Sequence, residues 1–264
     1  MDSYSLYRLG DPELDLEARV SLMLSVGEEC ITEEELRALV QHKIFKGLET
    51  VAYDGFEPSG RMHIAQGVMK AINVNKLTRC GCTFKFWVAD WFAMLNNKMD
   101  GDLKKIRTVG QYMIEVCRRS AIHVFVCLMS SKRSFGRTNE RECALNDMIV
   151  TFLAVLQIWT ALGMDMTKVK FLWSSDEING KASEYWPLVM DIARKNNLKR
   201  IKRCCQIMGR EESDDLSAAQ IFYPAMQCAD IFFLKADICQ LGMDQRKVRL
   251  GGRGENSCGG GNDT

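Results

Sequence analysis

The 264-residue chain has little of what marks several classes of protein. It contains only 3 histidines and 4 prolines, and 35 basic against 34 acidic residues leave a net charge of +1. Without an excess of positive charge, any contact with nucleic acid needs a local basic patch rather than bulk attraction. The remaining composition, 47% hydrophobic and 26% charged, is typical of a soluble globular protein and excludes a fibrous or wholly disordered one.

The N-terminal sequence also lacks a targeting signal. It reaches Pro12 without a basic stretch or an apolar core, which predicts a cytoplasmic protein. The run from Met148 to Met164 has 17 uncharged residues, but polar side chains interrupt it and it is short for a bilayer span, so no membrane contact is predicted.

The eleven cysteines are scattered along the chain. The pairs Cys80/Cys82 and Cys204/Cys205 are close in sequence, but no Cys-x-x-Cys recurs at the spacing of a metal site. We therefore predict reduced structural thiols and no protein-bound metal.

Strand and helix patterns alternate from residue 48 onward. We predict a strand over 48–53, a helix over 63–77, a second strand over 83–90 and a helical stretch through Tyr112. Such alternation is typical of a parallel sheet with crossover helices. The later predicted elements are a strand over 168–173, a helix over 182–195, a helix from Ser217 or Pro224 to Leu234, and a short strand near 237–241.

Three segments do not follow this pattern. Residues 1–47 read as a helical preface, in which Thr32 and Glu35 form the pattern of a capping box. Residues 117–158 follow no single period, and the glycine-rich tail over 249–264 is predicted to be disordered.

A cluster of small residues separates the strand that ends at Tyr53 from the helix that begins at His63. Gly55, Ser59 and Gly60 let the main chain approach a phosphate group, which backbone N–H groups at a helix N-terminus can bind. A histidine in the first turn can stabilise charge that develops on a polyphosphate. The alternative is an ordinary turn followed by a surface histidine.

A second group lies on the helix that ends at Leu234. Pro224 is expected in the first helical turn, and Tyr223, Gln227 and Asp230 stand at i, i+4 and i+7, hence on one face. Burying Asp230 beside apolar residues requires a donor, for example the hydroxyl or ammonium group of a small ligand. The alternative is a capping or salt-bridged aspartate on a half-buried helix.

Two further signals are weaker. The run 242–247 follows the last predicted strand, where open parallel sheets bind ligands, and Asp244 there suits ribose hydroxyls. The basic cluster 199–203 either meets RNA phosphate or forms a solvated face.

Taken together, the motifs resemble the tyrosyl-tRNA synthetases of eukaryotic and archaeal type, a family of class I aminoacyl-tRNA synthetases. His63-Ile-Ala-Gln66 is similar to the class I His-Ile-Gly-His signature, and the runs 223–230 and 242–247 are similar to that family's tyrosine and ribose loops. The tryptophan-specific relatives lack the pairing of an acid with a tyrosine that a phenol requires. The resemblance implies a Rossmann-like doubly wound α/β sheet, with a catalytic domain over 48–248.

The resemblance also assigns roles to single residues. The tyrosine-binding residues would be Tyr53 and Asp230 for the phenol, and Tyr223, Gln227 and Gln245 for the ammonium group. The ATP-binding residues would be Gly55, His63, Gly242 and Asp244, and Ser59 and His63 would act on the departing pyrophosphate.

The implied reaction has two steps, both without a protein nucleophile. The carboxylate of L-tyrosine attacks ATP, which is bound with Mg²⁺, and tRNA(Tyr) then accepts the tyrosyl group. The resemblance also implies a homodimer.

Several features depart from the family. Ala65-Gln66 replaces the second half of the signature, and the chain stops before any Lys-Met-Ser-Lys-Ser-like loop or anticodon-binding domain. We therefore expect a truncated ligase, with a non-catalytic fragment that binds tyrosine or a partner as the alternative. A fragment that cannot fold is a third possibility.

The segment 117–158 interrupts the run that resembles the family, which breaks near Val116 and resumes at Trp159. We interpret it as a retained intron or an error in the gene model, and the tail over 249–264 as a second instance. A genuine surface insertion is the rival interpretation.

Overall fold

The computed structural model describes residues 10–58, 64–118, 166–205 and 217–241. These ranges form a parallel sheet with helices on both faces. The strands are β1 (Thr50–Phe56), β2 (Cys82–Val88), β3 (Val169–Trp173) and β4 (Ile238–Cys239). The helices are α1 (Leu16–Leu24), α2 (Glu33–Lys46), α3 (Ile64–Arg79), α4 (Asp90–Leu95), α5 (Leu103–Arg118), α6 (Ser174–Gly180), α7 (Ala182–Lys195), α8 (Leu198–Cys205) and α9 (Ala218–Phe233). Short 3₁₀ turns lie at Lys98–Gly101 and Met166–Lys168.

The strand order in the sheet is β3-β2-β1-β4, with every pair parallel. The chain therefore adds β2 and β3 on one side of β1 and then crosses to add β4 on the other side. The gap between the carboxyl ends of β1 and β4 is the switch point at which doubly wound sheets bind their ligands. This confirms the predicted α/β class and the Rossmann-like topology.

Alternating side chains of the strands build two cores. Ala52, Phe84 and Phe86 point to the face covered by α1, α2 and α3. Tyr53 and Trp87 point to the opposite face, which α4, α6, α7 and α9 cover. Because both faces are buried, β2 reads as an almost continuous apolar run.

Helices α1 and α2 precede β1, and Arg19 of α1 anchors them to the sheet. This buried guanidinium donates to the carbonyls of Cys80, Leu14 and Asp11, each at 2.9 Å. Thr32 is the N-cap of α2, but its hydroxyl hydrogen-bonds Glu35 at 2.9 Å instead of a backbone N–H. The capping box predicted there is wrong in that respect.

Two further local predictions are corrected. Gly55 and Phe56 were expected in a turn, but they continue β1 and pair with Trp87 and Val88, because the parallel ladder with β2 extends over seven residues. Pro224 lies inside α9 instead of in its first turn, because Ser217 caps that helix seven residues earlier. Gln220 and Ser217 form a complete capping box there.

Three of the predicted segments lie wholly or mostly outside the described residues. They are most of 117–158, the whole 242–247 run and the tail over 249–264. In the ranges that are described, no helix combines the length and the apolar character that a membrane span needs. The free thiols are Cys30, Cys80, Cys82, Cys204, Cys228 and Cys239.

Candidate functional site

A cavity of about 360 Å³ lies at the switch point of the sheet. Its walls come from the carboxyl end of β1, the end of β2, the start of α4, and α9. The lining residues are Tyr53, Asp54, Gly55, Phe56, Glu57, Lys70, Trp87, Ala89, Phe92, Tyr223, Gln227, Asp230 and Leu241.

Asp230 is the most deeply buried acid of this cavity, at 1% exposure. Its Oδ1 accepts a hydrogen bond from the hydroxyl of Tyr185 at 2.9 Å, and that hydroxyl also lies 3.3 Å from the carbonyl of Met226. Burial raises the pKa of Asp230 well above its ordinary value, while Tyr185 and the nearby Trp87 lower it in part. The Trp87 N–H nevertheless makes no hydrogen bond of ordinary geometry among the described residues. This buried carboxyl is suited to receive a further hydroxyl donor.

Tyr53 stands on β1 in the same cavity and is 2% exposed. Burial, followed by the negative charge of Asp230, raises the pKa of its phenol well above the ordinary value, so the hydroxyl stays protonated and able to donate. Its Oη lies 3.0 Å from the position that a Cβ on Gly55 would take. A larger residue at position 55 would therefore crowd this hydroxyl, which favours glycine there.

Glu57 forms a polar wall at the mouth of the cavity. Its Oε1 accepts hydrogen bonds from the Tyr223 hydroxyl at 2.8 Å and from Nδ2 of Asn96 at 2.6 Å. The ring of Tyr223 also packs edge-on against Phe92, with centroids 5.0 Å apart. The orientation of Tyr223 is thus fixed at both ends of its side chain.

Asp54 adds an ion pair to the lining, with Lys70 of α3. Burial raises the pKa of the Asp54 carboxyl, and the charge of Lys70 opposes that shift. This pair holds the carboxyl-terminal half of β1 against α3.

A second polar network supports the start of α4. Asp90 is fully buried and accepts from Ser174 Oγ at 2.6 Å, from Ser175 Oγ at 2.5 Å and from Ser175 N at 3.0 Å. Arg107 of α5 reaches Asp90 at 3.1 Å and forms a two-pronged pair with Asp176 at 2.8 and 2.9 Å. The network joins the ends of β2 and β3 below Ala89 and Phe92, which line the cavity.

The structure brings five of the predicted site residues into one cavity: Tyr53, Gly55, Tyr223, Gln227 and Asp230. The shared face predicted for the last three is therefore present on α9. The other five, Ser59, His63, Gly242, Asp244 and Gln245, lie outside the described residues, so their roles stay predictions.

Sequence reasoning missed three side chains of the site, Glu57, Trp87 and Tyr185. Glu57 lies in the sequence between Gly55 and Ser59, both of which were predicted to contact phosphate. This position was the only signal in the sequence that Glu57 belongs to the site. Tyr185 reaches Asp230 across 45 residues through the packing of α7 on α9, which no local pattern reveals.

Residues 46–254 match the family described as tRNA synthetases class I (W and Y). Over 236 residues, which are 89% of this chain, it is 57% identical to the tyrosine–tRNA ligase 1, cytoplasmic, of Arabidopsis thaliana. The match covers 49% of that relative, so the chain spans about half its length.

Two solved structures are similar to the described fold. A Leishmania major tyrosyl-tRNA synthetase in complex with tyrosinol is 50% identical, with a TM-score of 0.70 over 91% of this chain and 33% of the other. A tyrosyl-tRNA synthetase from Pyrococcus horikoshii, complexed with L-tyrosine, is 29% identical, with a TM-score of 0.68 over 90% of this chain and 53% of the other.

Proposed function

We propose that this chain, which belongs to the class I tRNA synthetases of the tryptophan and tyrosine group, is the catalytic part of a tyrosine–tRNA ligase. It would activate L-tyrosine with ATP and transfer the tyrosyl group to tRNA(Tyr). The observation that carries this proposal is the buried Asp230 at the base of a cavity, next to Tyr53.

Specificity for a phenol follows from the chemistry of that base. Tyr185 occupies one oxygen of Asp230, and the other oxygen accepts no hydrogen bond of ordinary geometry from the described residues. The hydroxyl of a bound tyrosine would donate a hydrogen bond to this second oxygen. Phenylalanine has no hydroxyl, so the oxygen would stay buried without a hydrogen bond. Such sites reject the analogue without a hydroxyl by about 10⁴-fold or more.

The amino acid would enter with its phenol toward Asp230 and its polar end toward Tyr223, Gln227 and Gln245. Its carboxylate then attacks the α-phosphate of ATP, the bond to the β-phosphate breaks, and pyrophosphate leaves. The 3′-terminal hydroxyl of tRNA next attacks the carbonyl carbon of tyrosyl-adenylate, and AMP leaves. The chain contributes positioning and charge stabilisation to both steps.

The nucleotide would lie beyond the end of β1, over Gly55. The missing side chain of this glycine would let a phosphate or ribose approach the main chain closely. Gly242 and Asp244 would complete its binding, and Ser59 and His63 would stabilise the pyrophosphate. Mg²⁺, bound to the phosphates, would neutralise part of their charge.

The protein would be cytoplasmic, which the name of the Arabidopsis relative supports. It would also form a homodimer, which rests on the resemblance to the family alone. We further propose that residues 48–248 form the catalytic domain after a helical segment over 1–47, with an insert at about 117–158 and a disordered tail over 249–264.

Tyrosine-dependent exchange of labelled pyrophosphate into ATP by the 264-residue chain tests the proposal. Exchange that disappears in Asp230→Ala is the expected result. Tyrosine binding without exchange would instead support the non-catalytic alternative, and a folded chain that binds no tyrosine would overturn both.

A further inference from the structure

Three carboxylates line the cavity, and their charges are not equally compensated. Asp54 is paired with Lys70. Asp230 is fully buried and accepts a hydrogen bond from the phenol of Tyr185, and its burial favours the neutral form of the carboxyl. Glu57 forms no ion pair with any residue that the structure describes.

Glu57 is nevertheless held in place. Two uncharged donors, the Tyr223 hydroxyl and the Asn96 amide, meet at its Oε1, and Oε2 accepts no hydrogen bond from the described part of the chain. Asn96 follows α4 directly as its C-cap, so this donor is fixed by the helix end. A carboxylate that is oriented but not neutralised favours a bound cation.

We propose that Glu57 supplies the negative charge that binds the ammonium group of the amino acid substrate, with Asn96 as the residue that positions it. The inference rests on the proposed function, because it takes tyrosine as the ligand. The other side chains assigned to the ammonium group, Tyr223, Gln227 and Gln245, are uncharged. Without Glu57 the cation would be transferred from water to neutral partners only, which is costly.

Geometry supports this placement. Tyr223 touches Glu57 directly and stands two helical turns before Asp230 on the same face of α9. Seven residues of helix rise about 10 Å. A tyrosine whose phenol meets Asp230 therefore directs its α-ammonium group toward the wall formed by Tyr223 and Glu57.

Two fragments of the substrate separate the role of Glu57 from general effects on the pocket. Tyramine keeps the phenol and the ammonium group, whereas 3-(4-hydroxyphenyl)propionate keeps the phenol and lacks the ammonium group. Isothermal titration calorimetry on the 264-residue chain would measure both ligands, and L-tyrosine, for the wild type, Glu57→Gln and Asn96→Ala.

We expect Glu57→Gln to weaken tyramine and L-tyrosine about ten-fold or more, because a charged hydrogen bond is lost. Its affinity for the propionate should stay the same or rise, since a repulsive charge is removed. Asn96→Ala should weaken tyramine by a smaller factor and leave the propionate unchanged. Far-ultraviolet circular dichroism would check that each variant is folded.

Equal tyramine affinity in the wild type and a folded Glu57→Gln would overturn the inference while leaving the proposed function intact. Equal weakening of both fragments would also overturn it, because that result indicates a distorted pocket. If Glu57→Gln does not fold, the affinities for tyramine and for the propionate are compared in Glu57→Asp and Asn96→Ala instead. A wild-type chain that binds no tyrosine would refute the proposed function itself.

Discussion

At the scale of single residues, Asp230 combines its proposed role in tyrosine binding with a cost in stability. A carboxyl that is 1% exposed and has no cationic partner in the described ranges is unfavourable when ionised. The native state tolerates it because Tyr185 donates to it. Such a residue is expected where ligand recognition outweighs the stability of the free protein.

Asp230→Asn should therefore make the protein more stable and less able to bind tyrosine. Burial raises the native-state pKa of Asp230 above the ordinary 3.8, so the native state holds more protons than the unfolded state between these two values. The free energy of unfolding contributed by this group is thus highest below 3.8 and falls as the pH rises through that window. The variant avoids this loss, so its advantage in urea midpoint should grow from pH 4 to pH 7.

Tyrosine affinity of the same variant should fall about 5- to 150-fold, since a buried hydroxyl that loses its acceptor costs about 1–3 kcal/mol. Calorimetric titration measures it. Tyr185→Phe is the matched control, since it leaves the Asp230 oxygen without its donor and should lower stability by about 1–3 kcal/mol. A variant that is less stable than the wild type at pH 7 would contradict the assignment of Asp230 as a destabilising group.

The residue scale also shows how far the sequence alone could lead. Tyr223, Gln227 and Asp230 were predictable because helical spacing alone places them on one face, whereas Tyr53 was assigned only by the resemblance to the family. Trp87 gave no such signal, because its place in the cavity depends on the register between β1 and β2. Pairing across elements is the information that local patterns lack.

At the scale of elements, Arg107 connects α5 to α4 and α6. Its guanidinium pairs with Asp90 and Asp176 and lies 4.7 Å from the centre of the Trp173 ring. Gly110, one turn further on, lets α5 approach this ring, because a Cβ there would come within 2.5 Å of it. The helix is thereby clamped against the end of β3.

Arg107→Ala should lower the free energy of unfolding by about 2–4 kcal/mol, because Asp90 stays buried with one charged partner fewer. Arg107→Lys should recover only part of this, since a lysine cannot form the two-pronged pair with Asp176. Urea denaturation followed by tryptophan fluorescence gives the values.

Arg194→Ala provides the matched surface control. Arg194 pairs with Asp191 in solvent, with its side chain 72% exposed, and its removal should leave the urea midpoint unchanged. An equal loss in the two variants would contradict the special role of the Arg107 network.

The two helix starts with hydroxyl N-caps offer another comparison. Ser217 accepts from the N–H of Gln220 in a complete capping box, whereas the Thr32 hydroxyl turns to Glu35. Ser217→Ala should cost about 1 kcal/mol, and Thr32→Ala clearly less, in thermal or urea unfolding. A larger loss in Thr32→Ala would contradict the described geometry. Because α9 carries three site residues, Ser217→Ala should also weaken tyrosine binding slightly.

At the scale of the whole molecule, the described lining of the cavity comes from both sides of the segment 119–165 in the sequence. Its lining residues come from before α5 and from after β3. The proposal that residues 117–158 are an insert therefore has a direct consequence for function, since their removal takes away none of the lining residues that the structure describes.

A chain with residues 117–158 deleted should bind tyrosine with an affinity within roughly three-fold of the wild type, as expected for an insertion away from the site. Calorimetry measures the affinity, and size-exclusion chromatography shows whether the deleted chain forms a dimer more readily. Complete loss of binding by a folded chain would make the segment part of the catalytic domain. Sequencing the transcript across codons 110–165 would separate a retained intron from a genuine insertion.

The α/β class was predictable at this scale because strand and helix periods alternate along the chain. The crossing to β4 was not predictable in the same way. A two-residue strand carries too little pattern, and its place beside β1 is fixed by tertiary contacts such as the bond from the Gln240 N–H to the Tyr53 carbonyl at 2.8 Å.

The late crossing to β4 also sets an order of events during synthesis. Tyr53 leaves the ribosome 177 residues before Asp230, a delay of roughly 9–35 s at about 5–20 residues per second. During that time α9 does not yet cover the apolar face of β1 and β2 on which Trp87 lies. The binding pocket therefore closes only after α9 has been synthesised, and until then this part of the sheet presents exposed apolar surface.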